Sequence, residues 1–167
     1  MKSEFAPARS GIVACTRMTA ATRSGGRRLL GQFLGDDPHY RASAADYGDG
    51  GAPALERALD LFLARPELGF VWLATRGGSV TAACVVCYAI STSRGTLVAK
   101  LDDVTVDPSS RGQGVGSAML KALQEDLRIV GISRIDTACH RSNHAAWRFY
   151  ERHGFRPLDE ERIALLL

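Results

Sequence analysis

Apolar positions along this chain follow two different periods. Val115, Met119, Leu120, Leu123, Leu127 and Val130 recur three or four residues apart, which makes one face of a helix apolar. Gly131 supplies its stop. Upstream, residues 69–75 and 80–91 are nearly continuous apolar runs of strand length, joined by Arg76-Gly77-Gly78-Ser79, whose glycine pair marks a hairpin. A turn over residues 91–95 leads into a further strand, 97–106. Towards the amino terminus the pattern predicts a strand at about 12–18 and a helix at about 20–34, weakened by Gly25, Gly26 and Gly31. Residues 36–51 are so rich in turn formers that they read as a loop. Pro53 then suits the first turn of a helix carrying Leu55, Leu59, Phe62 and Leu63 on one stripe, and Pro66 stops it. Beyond the long amphipathic helix, 132–138 reads as a strand and 143–153 as a helix, with carboxy-terminal strands expected around Phe155 and 162–166.

A strand, a helix crossover and a strand make a right-handed unit, so strand 132–138 should run parallel to strand 97–106. The hairpin partners are antiparallel. The fold class expected is therefore α/β of a mixed, α+β-like kind: a mostly antiparallel sheet with one parallel pair and helices on both faces. A chain of 167 residues, 46% hydrophobic, can bury one ordinary core. Residues 11–167 are read as that single domain. Residues 1–10 hold Glu4, Pro7 and Arg9 and no apolar stretch, so they read as a loose terminus and not as a signal peptide.

Charge and cysteine usage narrow the classes further. A net charge of +3 implies no strong field for nucleic acid, and Arg23, Arg27 and Arg28 read as a solvated helix face. No apolar run approaches the roughly 20 residues needed to cross a bilayer, so a cytoplasmic protein without membrane partners is expected. Cys84 and Cys87 lie three apart on a strand and face opposite ways, which suits neither a metal nor a disulfide. The four histidines show no metal-ligand spacing, and no metal is expected.

The most informative stretch is L-D-D-V-T-V-D-P-S-S-R-G-Q-G-V-G-S-A-M-L, residues 101–120. A strand passes through a turn into glycines that open a helix, where amide N–H groups without intrahelical partners and the positive end of the macrodipole favour an anion. A phosphate is the natural occupant. A Walker A loop would end Gly-Lys-Ser/Thr, whereas Gly116 is followed by Ser117 and Ala118. A dinucleotide fingerprint needs G-x-G-x-x-G, and Ser117 stands where its third glycine belongs. Asp136 could still act as that fold's ribose-binding acid, although the motif lies late in the chain with room for one βαβ unit after it.

The pattern R-x-x-G-x-G, here Arg111, Gly114 and Gly116 after a strand ending V-T-V-D-P, resembles the acetyl-CoA pyrophosphate loop of the GNAT N-acetyltransferase superfamily. A second block, N-H-A-A-W-R-F-Y-E-R-H-G-F over 143–155, is similar to that family's following helix and strand, N-x-x-A-x-x-F-Y-x-x-x-G-F. Together the blocks span a little over a third of the chain, 97–155; the amino-terminal half resembles the family only in element order.

The resemblance implies a GNAT fold, with six to seven strands and a central parallel pair splayed around CoA. It implies that backbone groups of Val104, Thr105 and Val106 pair with the pantetheine arm while Arg111, Gly112, Gln113, Gly114, Val115 and Gly116 hold the pyrophosphate. A backbone N–H near Val104 would polarise the thioester carbonyl. Tyr150 would donate a proton or hydrogen bond to the leaving thiolate; Ala146 would leave space for the arm and Asn143 would contact it. Phe149 reads as core, and Ser142 as a helix N-cap. An alkylamine is neutral in only about one molecule in a thousand at neutral pH, so a carboxylate must take its proton. Asp102 stands where the related motif often reads I-E-D or L-E-D, one methylene shorter than Glu, which favours a bridging water. Asp103, on the other side of a regular strand, reads as structural.

The acceptor is not written plainly. In the family resembled, the segment between the first two helices walls the acceptor pocket, which points to residues 36–51. Asp36, Asp37, Asp46 and Asp49 could attract a cationic amine, with His39, Tyr40 and Tyr47 lining the cavity; a solvated acidic loop is the plain alternative. Asp36, Tyr40 and Tyr47 are the substrate candidates. The expected activity is metal-free transfer of acetyl from acetyl-CoA to the primary amine of a small molecule of polyamine, amino-sugar or amino-acid type. Alternatives are acetylation of a protein or peptide amine, and a catalytically silent acyl-CoA-binding regulatory module. The resemblance also implies a homodimer; the apolar tail 163–167 is compatible with that or with burial inside one subunit.

Overall fold

The computed structural model describes residues 11–48 and 50–166. The readings made for residues 1–10 and Asp49, and for the side chain of Tyr47, lie outside that description. In chain order the elements are β1 (Ala14–Arg17), α1 (Arg23–Asp36), α2 (Pro38–Tyr47), α3 (Gly51–Ala64), β2 (Gly69–Arg76), β3 (Ser79–Ser91), β4 (Thr96–Val106), a short 3-10 turn (Pro108–Ser110), α4 (Val115–Ile129), β5 (Ile135–Thr137) and α5 (His144–Arg152). The strands form one sheet in the order β1-β2-β3-β4-β5. The first three pairings are antiparallel and β4 runs parallel to β5. The expected mixed sheet with helices on both faces is what the chain forms.

Two apolar layers explain why β2 and β3 read as continuous hydrophobic runs. Phe70, Trp72, Ala74, Cys84 and Val86 pack under α4 against Val115, Met119, Leu120, Leu123 and Leu127. Val71, Leu73 and Ala83 face the opposite way, against Leu29, Leu30 and Leu59 of α1 and α3. A strand covered on both faces has no polar side to alternate with. Each fully buried leucine contributes about 1.5–3 kcal/mol, so the sheet is held from both sides. Gly25 and Gly26 do not interrupt α1. A Cβ on Gly25 would stand 2.5 Å from Val80 Cγ2, so the residue that weakens the isolated helix is what lets it lie close on β3.

Three expectations are corrected. The first is the loop over 36–51, most of which is helix α2. Asp37 caps it, its carboxylate accepting from the N–H groups of His39 at 2.9 Å and Tyr40 at 2.8 Å. Pro38 fills the first position, and Gly48 closes the helix with φ 69°. Asp, Pro and Gly punctuate loops, but in this order they are also start and stop signals of a helix. Second, β5 is three residues long, shorter than the run 132–138. Third, the sheet has five strands among the described residues, not six or seven: residues 155–166 form no strand, and Ile163 and Leu165 are 92% and 84% exposed. So short an edge strand offers little ladder for another to join.

Candidate active site

The turn after β4 is braced from several sides. Asp107 accepts from Ser109 N–H at 3.1 Å and pairs with Arg28 at 2.9 Å. Arg111 Nε donates to the carbonyl of Val106 at 3.1 Å, and Gln113 Nε2 to that of Ser109 at 2.7 Å. These bonds fix a loop whose own amides are left over: among the described residues, none of the N–H groups of 112–117 has a hydrogen-bond acceptor. Gly112 and Gly114 stand at φ 72° and 78°, a region other residues enter only under strain. Six orphan donors at the start of a 15-residue helix form a concentrated anion site. The groove beside it, between α4 and α5, has a volume of about 500 Å³ and carries Lys121, Arg128 and Arg152, with His153 Nε2 3.0 Å from Ser117 Oγ.

Next to this loop the sheet opens. Parallel pairing runs through Ala99–Ile135 and Lys100–Asp136 to Leu101–Thr137, and goes no further. β4 continues to Val106, still paired with β3. Residues 102–106 therefore present an edge that no described strand covers. Within that stretch lies a bulge: Val85 pairs with Asp102 and Ala83 with Thr105, so Asp103 and Val104 together oppose Cys84. Asp103 has φ 51°, alone in this among the described non-glycine residues. The bulge reverses the strand's alternation. Ala99 and Leu101 belong to the α4 layer before it, and Val104 and Val106 pack on that layer after it. The regular alternation on which Asp103 was read as structural does not hold here.

Tyr150 reaches the parted strands from α5. Its side chain is buried between the rings of Phe149 and Phe155, with centroids 5.4 and 5.3 Å away. Burial pushes its phenol up to about 12, with the nearby Thr137 hydroxyl opposing the rise. Near neutrality it is a proton donor. Asn143, and not Ser142, caps α5, its Oδ1 accepting from Ala146 N–H at 3.1 Å; Ser142 instead meets His39 Nδ1 at 3.4 Å. Asp102 is held by Lys100 Nζ at 2.7 Å, with Arg162 at 4.0 Å. Asp103 differs: burial first, then the charge of Asp102, raises its carboxyl to about 6.

On the other side of β4, a cavity of about 220 Å³ is lined by Gln32, Phe33, Asp36, Pro38, Thr105 and Arg111. It joins a substrate candidate, Asp36, to two cofactor candidates. Tyr40 stacks near Phe33, with centroids 5.8 Å apart, and α2 is tied to the turn before α5 by Ser43 Oγ and His140 Nε2 at 3.2 Å. Sequence reasoning missed α2, Thr137 and the bulge at Asp103. Only the first left a signal, in the Asp-Pro start and Gly stop. Among the described residues no three His, Cys, Asp or Glu side chains cluster to hold a metal, and no helix is long and apolar enough to cross a membrane.

A model of the acetyltransferase (GNAT) family matches residues 37–155. Solved structures share the fold at low identity. An acetyltransferase of Trypanosoma brucei superposes with a TM-score of 0.68 at 23% identity, covering 93% of this chain and 100% of its own. Glucosamine-6-phosphate N-acetyltransferase of Arabidopsis thaliana gives 0.67 at 16% identity, covering 92% and 98%. An aminoglycoside N-acetyltransferase in complex with CoA gives 0.73 at 17%, covering 98% of each chain.

Proposed function

We propose, on the premise that this chain belongs to the acetyltransferase (GNAT) family, that it moves the acetyl group of acetyl-CoA directly to the primary amine of a small molecule. The observation that carries this reading is the adjacency of orphan amides 112–117 to the uncovered edge of β4. A diphosphate meets the first and an extended amide-bearing arm the second, as a strand adds to a sheet edge. A protein without such a ligand has little use for both features side by side.

Acetyl-CoA supplies an activated acyl carbon, and everything else falls to the chain. Arg111 and the amides of 112–116 hold the pyrophosphate, while Lys121, Arg128 and Arg152 favour the charged nucleotide end. Backbone groups of Val104, Thr105 and Val106 pair with the arm; an N–H near Val104 stabilises charge on the carbonyl oxygen. Asn143 retains its amide N–H donors for the arm, and Ala146 leaves room for it. A carboxylate of the Asp102–Asp103 pair takes the proton of the acceptor ammonium, and Tyr150 donates to the leaving sulfur. In balance, an ammonium and a thioester give an amide, a thiol and one proton.

Asp36 and Tyr40 would line the acceptor side, where the cavity by Asp36 and Arg111 is small enough to suit a compact amine. The amino-sugar acetyltransferases among the structural neighbours support including that class. The exposed Ile163, Leu165 and Leu166 favour pairing of two copies through this tail, and a cytoplasmic enzyme is the simplest setting. A thiol-release assay with acetyl-CoA tests the reading against polyamines, amino sugars, amino acids and peptides. Turnover on a small amine is expected. Turnover confined to peptides would favour a protein acetyltransferase, and CoA binding without turnover a silent module.

A further inference from the structure

We propose that His153, at the end of α5, is part of the cofactor site: acting through the Ser117 hydroxyl, it takes up a proton when the diphosphate of CoA fills the orphan amides at the start of α4. This inference rests on the acetyl-CoA reading and adds a proton-linked hold on the cofactor. Ser117 is the third residue of α4 and carries the last of those amides. A helical side chain points back towards the amino terminus of its helix, so the Ser117 hydroxyl leans towards the same anion. From the other side, His153 Nε2 stands 3.0 Å from Ser117 Oγ. The ring is held there. The backbone N–H of His153 donates to the Tyr150 carbonyl at 2.9 Å, its carbonyl accepts from Gln124 Nε2 at 3.2 Å, and its ring centroid lies 4.9 Å from that of Phe149.

The charges around this ring oppose a second proton on it. Among the described residues, Lys121, Glu125 and Arg128 face the groove from α4 and Arg152 from α5, so cations outnumber the one carboxylate. Burial first, then the charge of Arg152, holds the imidazole below its usual value of 6.5. A bound diphosphate reverses that balance. Its oxygens accept from the Ser117 hydroxyl, which leaves the Ser117 oxygen to accept from His153 Nε2–H, and its negative charge favours the imidazolium. The proton comes from solvent, an N–H bond forms on the ring, and no bond to the ligand is made or broken. Affinity for the diphosphate therefore rises as pH falls through the range in which the bound imidazole is charged and the free one is not.

Dephospho-CoA is the probe, because it keeps the diphosphate and lacks the phosphate monoester, which itself titrates at about pH 6. Calorimetry near pH 6.5, in two buffers of different ionisation enthalpy, should find a fraction of a proton taken up as it binds to the parent. Its Kd should fall by up to about tenfold between about pH 8 and pH 5.5, the change that a single pKa unit on one linked group gives. His153→Gln should abolish the uptake and flatten the pH dependence while keeping the parent's Kd near pH 8, where the parent's ring is neutral. His153→Lys, charged across the range, should bind more tightly than the parent near pH 8. A parent with no uptake and one affinity across the range would overturn the inference. So would a His153→Gln protein that kept the uptake, or one whose Kd changed equally at both pH values, the mark of a merely structural histidine. A parent that bound neither dephospho-CoA nor CoA would remove the acetyl-CoA reading as well, so the two failures are distinct.

Discussion

Thr137 Oγ1 donates a 2.9 Å hydrogen bond to the carbonyl of Leu101 across the last rung of the parallel pair. The same hydroxyl works against the rise that burial gives the Tyr150 phenol. One hydroxyl thus ends the ladder and lies beside the tyrosine. Thr137→Val keeps the shape and removes the bond to Leu101. Losing that bond should cost about 0.5–1.5 kcal/mol, read as a lower urea midpoint. Parent-like stability would show that the hydroxyl does not hold the end of the ladder.

Tyr150→Phe leaves the packing between Phe149 and Phe155 intact and deletes the phenol. Turnover should drop by roughly ten- to ten-thousand-fold, while calorimetry should find CoA bound about as tightly as by the parent. A variant with undiminished turnover would take Tyr150 out of the chemistry.

Gly114→Val tests the anion loop. A Cβ at this position meets nothing within 4 Å, so crowding inside the protein is not the obstacle. The branched side chain is disfavoured at φ 78° and would stand where a ligand approaches the amides. Strain of about 1–2 kcal/mol and a loss of CoA affinity of at least about tenfold are expected. Titration calorimetry that found parent-like affinity would place the cofactor elsewhere.

Asp103→Asn should also change stability with a definite sign. The folded protein holds this proton up to about pH 6, above the ordinary value of 3.8, so the folded state binds more protons between those values and parent stability falls as pH rises through that window. At pH 8 the amide should therefore be more stable than the parent by up to about 2–3 kcal/mol. Near pH 3.5 the advantage should disappear. Asparagine tolerates the left-handed backbone well, which keeps the comparison clean. Urea midpoints at the two pH values decide it, and equal midpoints at pH 8 would show that the carboxylate is not held in a desolvated state.

Much of this molecule was legible from periodicity and punctuation. The spacing of Val115 through Val130 made α4, the continuous runs made β2 and β3, and R-x-x-G-x-G placed orphan amides at a helix start, because each of these is a property of a short stretch of backbone. Residues 36–51 misled for a related reason: turn formers bound helices as readily as loops, and only the order Asp37-Pro38 and then Gly48 distinguishes the two.

What the residues alone could determine was local: which segments bury a face, where a helix begins, and where unshared N–H groups collect. Tertiary structure decided the relationships among those segments. A strand read by itself alternates, yet pairing two residues of β4, Asp103 and Val104, against Cys84 reversed the faces that the following residues present. Where the two parallel strands part follows from how few rungs β5 shares with β4, and the bond from Thr137 to the Leu101 carbonyl needs two strands brought together. Such features depend on strand register and on packing across the sheet, where residues distant along the chain supply each other's environment, and no local pattern encodes that distance.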